Sequence, residues 1–235
     1  MKIRENSVTT IPTHRKVSLT AGLLYLLTFV SIPTLVMYGQ VKSAGYVMGT
    51  GPDTAAIIGG LLEITIALAG IGTAVVLFPI LKKQSETLSL GLVAARILES
   101  GTIFVGVAFL LSIVTLRQSG NGVEALPTSH ALVALYDRIF LLGQSFMPAI
   151  CDLLLGLLLY KSRLVPRTLS LVGIIGAPIL IIGYVAIMFG HVAQHAPTTG
   201  LFAVPVALFE FSLGIWLVIK GFSPRAIATL ESKNS

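Results

Sequence analysis

Seven ionisable side chains lie inside long apolar stretches of this sequence. They are Glu63, Arg96, Glu99, Asp137, Arg138, Asp152 and Glu210. Five of them are acids and two are bases, so one-to-one pairing with the two arginines leaves three carboxyl groups without a counter-charge. A carboxyl group in a low-dielectric environment holds a proton more readily than one in water. Such groups form the proton relays and cation sites of membrane proteins.

The spacing of these residues indicates which of them act together. Arg96 and Glu99 are three positions apart on one helical face and are close enough to pair. We therefore predict a ligand or proton site in which the protonatable groups are Glu63, Asp152 and Glu210, while Arg96 anchors either Glu99 or an anionic group. The alternative is structural, because protonated acids also form interhelical hydrogen bonds and arginine–carboxylate pairs also fix helix register.

A polar stripe runs through the apolar stretch 131–160. At spacings of three and four, one helical face carries Asp137, Leu141, Gln144, Pro148 and then Cys151 and Asp152. Asp137, Arg138 and Gln144 are secondary site candidates. Since Asp137 and Arg138 are adjacent, they point about 100° apart on a helix and need not pair. Pro148 frees the backbone carbonyl of Gln144, and a kink there would shape a cavity.

Three histidines are weak candidates for a metal site. His191 and His195 would share a helical face if the helix extended that far, and His130 is expected at the same membrane boundary, so the three could bind Zn²⁺ or Cu²⁺. Pro197 favours a loop instead, and polar boundary residues are the plainer interpretation. We predict no metal and no cofactor. Nucleotide-binding loops, zinc-protease motifs and nucleophile elbows are absent from the sequence, so an enzyme is the least favoured class.

The elements that must position these residues are transmembrane helices. The chain of 235 residues is 54% hydrophobic and 11% charged, whereas soluble domains carry about 25% charged residues. Its mean hydropathy is +0.91. Six stretches approach or exceed the roughly 20 residues that span a bilayer. They cover approximately residues 18–38, 55–81, 89–116, 131–160, 168–190 and 200–219. We predict an all-α fold, an integral membrane bundle of six transmembrane helices.

The basic residues predict the orientation of this bundle. With the N-terminus inside, twelve lysines and arginines lie in inner segments, and only Lys42 and Arg117 lie in outer loops. Both termini are therefore expected in the cytoplasm. The predicted organisation is a cytoplasmic segment 1–17, a transmembrane domain 18–220 and a cytoplasmic tail 221–235. The first apolar stretch is longer than the core of a typical secretory signal and is read as a retained helix.

The net charge of +6 does not indicate nucleic-acid binding, because the basic residues flank the apolar stretches. That placement is typical of topology signals and of contact with anionic lipid.

A weak internal repeat relates two acids. Asp152 and Glu210 are each followed by glycine at +4, proline at +14 and arginine at +15. A duplication of parallel segments would explain this, as in the halves of some transporters. The alternative is that inner helix ends commonly carry such residues.

Several strings resemble one known family. They are LLEI around Glu63, FPILKK, LGLVAARILE, YD at 136–137, YKSRLVPRTLSLVGIIG and the closing FE…GIWLVIKGFSP. Over about residues 15–228 they resemble the bacterial multipass membrane family catalogued as domain of unknown function 4386. The resemblance implies a multipass protein of the bacterial cytoplasmic (inner) membrane. It implies no substrate, activity or cofactor, and the pair His191 and His195 lies outside the shared pattern.

The leading expectation is a bundle whose inward acids and arginines form a polar cavity for proton-coupled transport or for binding a small molecule. The alternative is a non-transporting membrane scaffold or subunit with structural buried charges. The expected partners are the lipid bilayer and either protons or an unknown small molecule. A homo-oligomer is left open, and nucleic acid is not expected.

Overall fold

The computed structural model describes residues 13–233, and all regular elements within that range are helical. The α-helices are α1 (Thr13–Thr28), α2 (Thr34–Met37), α3 (Thr54–Leu81), α4 (Glu86–Gln118), α5 (Leu126–Phe140), α6 (Met147–Ser162), α7 (Arg167–Met188), α8 (Thr199–Ile219) and α9 (Pro224–Ser232). Short 3₁₀ turns occur at Phe29–Ser31, Tyr46–Met48 and Gly122–Ala125, and a π-helical segment at Leu141–Phe146 joins α5 to α6. The predicted all-α class is confirmed.

Within residues 13–233, five helical stretches are long and apolar enough to cross a membrane. They are α3, α4, the continuous stretch Gly122–Ser162, α7 and α8. Their outer faces expose large apolar side chains such as Leu61, Ile97 and Ile182, which are 59%, 53% and 66% accessible. Extensive apolar exposure of this kind is rare on water-soluble monomers. The fold is thus that of a membrane protein whose outer faces meet lipid.

The first apolar stretch differs from the prediction. The expected single helix over 18–38 is interrupted, because α1 ends at Thr28 and tightens into a 3₁₀ turn before Pro33. Proline lacks a backbone N–H and its ring clashes with the carbonyl four residues earlier, here that of Phe29. A helix of 16 residues rises only about 24 Å, which is less than the roughly 30 Å hydrocarbon core. The six uninterrupted spans of the prediction are therefore not confirmed.

The helices form a closed ring. Helix α1 packs against α3 and α8, α3 against α4, α4 against α5 and α6, α6 against α7, and α7 against α8. The largest buried apolar cluster draws side chains from opposite sides of this ring, including Tyr25, Leu77, Leu92, Leu155 and Phe209. The amphipathic α9 covers one end of the cluster with Ile227 and Leu230.

The contact between α1 and α8 closes the ring. At the crossing, a Cβ atom on Gly22 would lie 2.8 Å from the carbonyl oxygen of Gly214, so only glycine permits this approach. About two turns earlier in α1, Arg15 donates from Nη1 to the Leu217 carbonyl (2.9 Å) and from Nη2 to the Val218 carbonyl (2.6 Å). A cation at a helix C-terminus also offsets the helix dipole. Arg15 thus fastens α1 to the end of α8.

The bundle has two distinct ends. The basic end carries the α3–α4 loop, the α6–α7 loop and α9, with most of the lysines and arginines of the described chain. The opposite end carries residues 38–53, 119–125 and 189–198.

The two members of the sequence repeat have matching geometry at the basic end. Eleven positions after Asp152 and after Glu210, respectively, Arg163 (φ 57°) and Gly221 (φ 72°) adopt the left-handed conformation that ends a helix. The two loops touch, because the Ser223 amide donates to the Leu164 carbonyl at 2.9 Å. The correspondence therefore includes backbone conformation as well as residue type.

A polar cluster orders the opposite end. The Asp53 carboxylate accepts hydrogen bonds from the Tyr46 hydroxyl at 2.5 Å and from Gln118 Nε2 at 2.9 Å, and it pairs with Arg117. The Arg117 guanidinium also lies over the Tyr46 ring, 4.3 Å from its centroid. Partial burial raises the pKa of Asp53, but the two hydrogen bonds and the Arg117 charge outweigh it and hold the pKa below its usual value. The cluster joins the loop before α3 to the end of α4.

This cluster predicts an acid-sensitive step in stability. A folded-state pKa below the usual value of about 3.9 means that ionised Asp53 stabilises the fold above that pH and ceases to do so as the pH falls through the lowered pKa. We expect the thermal midpoint of the Asp53→Asn variant to fall less steeply than wild type below about pH 4. Glu124→Gln, which removes an exposed acid nearby, is the control. Parallel acid curves for wild type and Asp53→Asn would contradict the assignment.

The α1–α8 crossing gives a second prediction. Gly22→Ala places a methyl group against the backbone of α8, which cannot move aside as a side chain can. We expect a loss of about 1–3 kcal/mol, typical of overpacking, measured as a lower thermal midpoint in detergent. Gly101→Ala is the matched control, because a Cβ there meets no atom within 4 Å. Equal midpoints for the two variants would show that the crossing is not tightly packed.

Candidate ligand or proton site

Arg96 is the centre of a buried ionic cluster. Its Nη1 donates to both carboxylate oxygens of Glu99 at 3.2 and 3.0 Å. Its Nη2 lies 2.5 Å from Glu210 Oε1 and 3.9 Å from Asp152 Oδ1. The side chains of Arg96 and Asp152 are 3% and 0% exposed. One guanidinium therefore faces three carboxyl groups and joins α4, α6 and α8.

The helices place these charged groups at the same level along the bundle axis. Arg96 and Glu99 share a face of α4 because they are three positions apart. Asp152 lies about three turns before the end of α6, and Glu210 lies at a similar distance from the end of α8. Since both helices run toward the basic end, their acids reach the same level as Arg96.

Two further side chains complete the cluster. The Cys151 thiol donates to Glu99 Oε2 at 3.3 Å. The Arg96 guanidinium lies over the Tyr25 ring of α1, 5.7 Å from its centroid, within the range of a cation–π contact. Arg96 is thus held by groups from four helices.

The cluster is incompletely satisfied. Among the atoms of residues 13–233, Arg96 Nε is buried without a hydrogen-bond partner, whereas Asp152 is buried beside Glu210 and lies 3.9 Å from Arg96 Nη2. A buried polar atom left without a partner costs about 1–3 kcal/mol. Because the Nη atoms of Arg96 are directed at acids, the guanidinium offers little to an anionic ligand. The excess of carboxyl groups instead favours protons or a cation.

Glu63 forms a second polar centre on α3. Its side chain is buried, with 1% exposure, and its Oε1 accepts a hydrogen bond from the Tyr136 hydroxyl at 3.2 Å. The Tyr38 hydroxyl and the Gln144 side chain also face the Glu63 carboxyl group. The Tyr38 and Tyr136 rings meet edge to face at 5.7 Å. Glu63 is therefore surrounded by polar side chains from three other parts of the chain.

A cavity of about 260 Å³ connects the two centres. Its polar wall includes Glu63, Arg96, Glu99, Gln144 and Glu210. Its remaining wall is mostly apolar and includes Phe29, Ile32 and Thr34 from the interrupted segment between α1 and α2. Concave sites with a largely apolar wall and a few convergent polar groups are typical of small-molecule sites.

A second cavity of about 350 Å³ adjoins the first toward the opposite end, and Thr34 and Phe140 line both. Its wall contains a pair between Lys42 Nζ and Asp137 Oδ1 at 2.5 Å. His195 Nε2 lies 3.5 Å from the other oxygen of Asp137. The second cavity thus has a charged wall of its own.

The five principal candidates lie in the wall of one cavity or next to it. Two of the three secondary candidates lie away from this cavity. Gln144 lines the cavity, whereas Asp137 pairs with Lys42 and Arg138 is exposed. The π-helical segment explains the separation, because a wider turn rotates the residues before it relative to those after it. The predicted stripe is therefore divided between two cavities. The functional role of these residues stays a prediction.

The histidines do not share the helical face that was considered for a metal site, and the loop favoured by Pro197 is present. Helix α7 ends at Met188, so His191 and His195 lie in a turn and do not share a helical face. His191 stacks on Phe189, while His195 approaches Asp137. His130 is exposed on α5. Across residues 13–233, no group of three or more histidine, cysteine or acidic side chains is arranged to hold a metal ion.

Five side chains of these sites, one of which is Tyr38, were not among the predicted site residues. Tyr136 precedes Asp137 in the YD string, Cys151 lies on the predicted stripe, and Lys42 is one of only two cations assigned to outer loops. These signals could have pointed to them. Tyr25 carries no such signal, because an aromatic residue in a membrane helix is ordinarily a packing residue.

Arg96 gives a direct test of the cluster. Arg96→Met leaves three buried carboxyl groups facing one another, and removal of one partner from a buried ion pair typically costs about 3–5 kcal/mol. We expect a much lower thermal midpoint in detergent at pH 8, with partial recovery at pH 5 as the carboxyl groups take up protons. Arg138→Met, at an exposed position without an ion pair in the described chain, should change the midpoint little. Equal effects at both positions would contradict the assigned pairing.

The comparisons with known proteins agree with the sequence resemblance. Comparison with curated proteins gave no match, and comparison with solved structures gave none either. A family model covers residues 20–221, and this range includes the buried cluster, Glu63 and all the residues that line the two cavities. The chain belongs to the family described as Domain of unknown function (DUF4386).

Proposed function

We propose that this protein binds protons and a small cationic or polar molecule in its central cavity and couples their movement across a membrane. The observation that carries the proposal is the single buried guanidinium of Arg96 facing three carboxyl groups beside a cavity with a fourth, Glu63, in its wall.

Charge balance supports protons or a cation as the ligand. Three carboxyl groups share one buried arginine, and Glu63 adds a fourth acid in the wall of the adjacent cavity. Isolated buried charges are costly in a low-dielectric interior. The excess negative charge must be neutralised by protons, by a cationic ligand or by both in turn. Exchange between these two occupants is the basis of proton coupling.

The adjoining cavities suggest a route. The central cavity continues toward the opposite end at Thr34 and Phe140, where the second cavity begins. The Lys42–Asp137 pair lies in the wall of that second cavity. We propose that a ligand enters through it and that separation of this pair widens the path.

The proposed setting is a bacterial cytoplasmic membrane crossed six times, with both termini inside. The distribution of lysine and arginine supports this orientation. Two features support the sixth crossing. Helix α1 packs between α3 and α8 in the ring, and the 3₁₀ turn and α2 lengthen the segment that follows it. In this arrangement residues 18–220 form the transmembrane domain, with cytoplasmic segments 1–17 and 221–235.

A specific observation also favours the alternative of a scaffold or subunit without transport. Every ion pair of Arg96 joins helices or positions within the bundle, and its Nη atoms are all engaged by acids. Such a cluster can fix helix register without binding anything. The two functions differ in whether the acids exchange protons.

Replacement of single acids separates the two functions. The full chain is reconstituted in vesicles that contain a pH-sensitive dye, with a potassium diffusion potential and either tetramethylammonium or ethanolamine as the probe cation. We expect wild type to move protons when a probe is present, and Glu63→Gln and Glu210→Gln to reduce the rate at least tenfold because each lacks a protonatable group. Glu124→Gln, an exposed acid outside the cavities, is the matched control.

Infrared spectroscopy of the same variants provides a readout that needs no substrate. Wild type should show a carbonyl band of protonated carboxyl groups that changes with pH, and Glu63→Gln should remove part of it. The proposal fails if wild type moves no protons with either probe and if neither substitution alters this band. A lower thermal midpoint without those changes would favour the scaffold.

A further inference from the structure

A second concentration of charge lies at the basic end, away from the candidate site. A cavity of about 480 Å³ opens there between the α6–α7 loop and α9. Five basic side chains line it, and none of the residues in its wall is acidic. They are Lys161, Arg163, Arg167, Arg225 and Lys233.

These cations are not used by the fold as ion-pair partners. None of the five forms a salt bridge within residues 13–233. The nearest acid in the sequence of α9, Glu231, pairs instead with Lys83 at 3.5 Å. Arg167 is positioned by the Tyr160 ring, whose centroid lies 4.7 Å from its guanidinium carbon. Like charges gathered around one concave surface repel one another, and an anion would relieve that repulsion.

The backbone adds to the positive potential. Helices α7 and α9 both begin beside the cavity, and neither has a side-chain cap or an acidic residue in its first turn. Free amide groups and the helix dipole at such a terminus favour a negative group. Arg163 adopts φ 57°, a conformation that non-glycine residues rarely take, and this places it at the rim.

The position of the cavity indicates the source of the anion. Three membrane-spanning helices have their ends here, at Ser162, Arg167 and Ile219. An adjoining cavity that shares Arg163 and Arg167 also contains Trp216 and Lys220. Tryptophan and basic residues at the ends of spanning helices lie at the level of lipid headgroups. Clusters of basic residues between such helices bind anionic headgroups.

We infer that the cavity lined by Lys161, Arg163, Arg167, Arg225 and Lys233 is a binding site for a phosphate group, supplied by the headgroup of an anionic phospholipid. Free inorganic phosphate presents the same chemistry, so the test must separate the two sources.

The test uses the full chain and a double variant. Arg163→Asn with Arg225→Gln removes two charges, and asparagine tolerates the left-handed backbone at position 163. The matched control, Lys16→Gln with Lys82→Gln, removes two exposed charges at the same end of the bundle but outside this cavity. Lipid retained by each purified protein is measured by native mass spectrometry after exposure to vesicles of phosphatidylglycerol or of phosphatidylcholine.

We expect wild type and the control to retain phosphatidylglycerol in preference to phosphatidylcholine. The double variant should bind phosphatidylglycerol at least roughly tenfold more weakly, since each basic residue near a membrane surface contributes about 1 kcal/mol. A separate arm measures the thermal midpoint with inorganic phosphate. Stabilisation by inorganic phosphate that the double variant abolishes, with no lipid preference, would overturn the lipid source and support free phosphate.

Equal retention of phosphatidylglycerol by wild type, the control and the double variant would overturn the site. If the double variant does not fold, the salt dependence of wild type decides. Retention should then fall steeply between 0.1 and 1 M salt, where the screening length decreases from about 10 to 3 Å. Retention that is insensitive to salt would overturn the proposal, because phosphate bound by exposed cations is screened.

Discussion

The cost of burying charge governs this molecule. Lipid offers no hydrogen bonds and little dielectric screening, so each ionisable group within a spanning segment must find compensation inside the protein. Arg96 meets this requirement for Glu99, Glu210 and, at longer range, Asp152. The outer faces can then be largely apolar, as the exposed Leu61 and Ile182 illustrate, although Arg138 is exposed on α5. The ring of helices follows from this requirement, since acids from α4, α6 and α8 reach one arginine only if those helices surround a common interior.

Outside the central cavity, close contacts between helices pack the interior tightly. Gly22 lies against the backbone of α8, and Gly156 lies against the carbonyl of Ser170 on α7. Small residues permit such approaches, which replace the hydrophobic driving force that lipid does not provide. The cavity remains where the packing is interrupted, beside the 3₁₀ turn near Phe29 and the π-helical segment before Met147. Irregular backbone inside a membrane is tolerated when it lines a cavity, and both segments do so.

Much of this arrangement was accessible from the sequence, for physical reasons. Helical periodicity placed Arg96 beside Glu99, and the cost of exposure to lipid required Glu63, Asp152 and Glu210 to face inward. Helical periodicity assumes 3.6 residues per turn and therefore predicts a continuous stripe from Asp137 to Asp152. The π-helical segment departs from that value, so the stripe is divided. The partnership of Lys42 with Asp137 depends on how a loop folds back, which no local pattern specifies. The first apolar stretch is broken near Pro33, and whether a proline bends or interrupts a helix depends on its tertiary neighbours, which the sequence alone does not specify.

The interrupted segment between Thr28 and Thr34 has a mechanical consequence. A regular helix moves as a rod, because displacing any part of it breaks several backbone hydrogen bonds in series. Here the wall of the central cavity at Phe29 and Ile32 belongs to a short tight turn, held at each end by a helix of its own. That wall can shift by changing a few backbone torsions while α1 stays clasped to α8 through Arg15. The cavity wall on this side can therefore adjust without any change in the contact between α1 and α8.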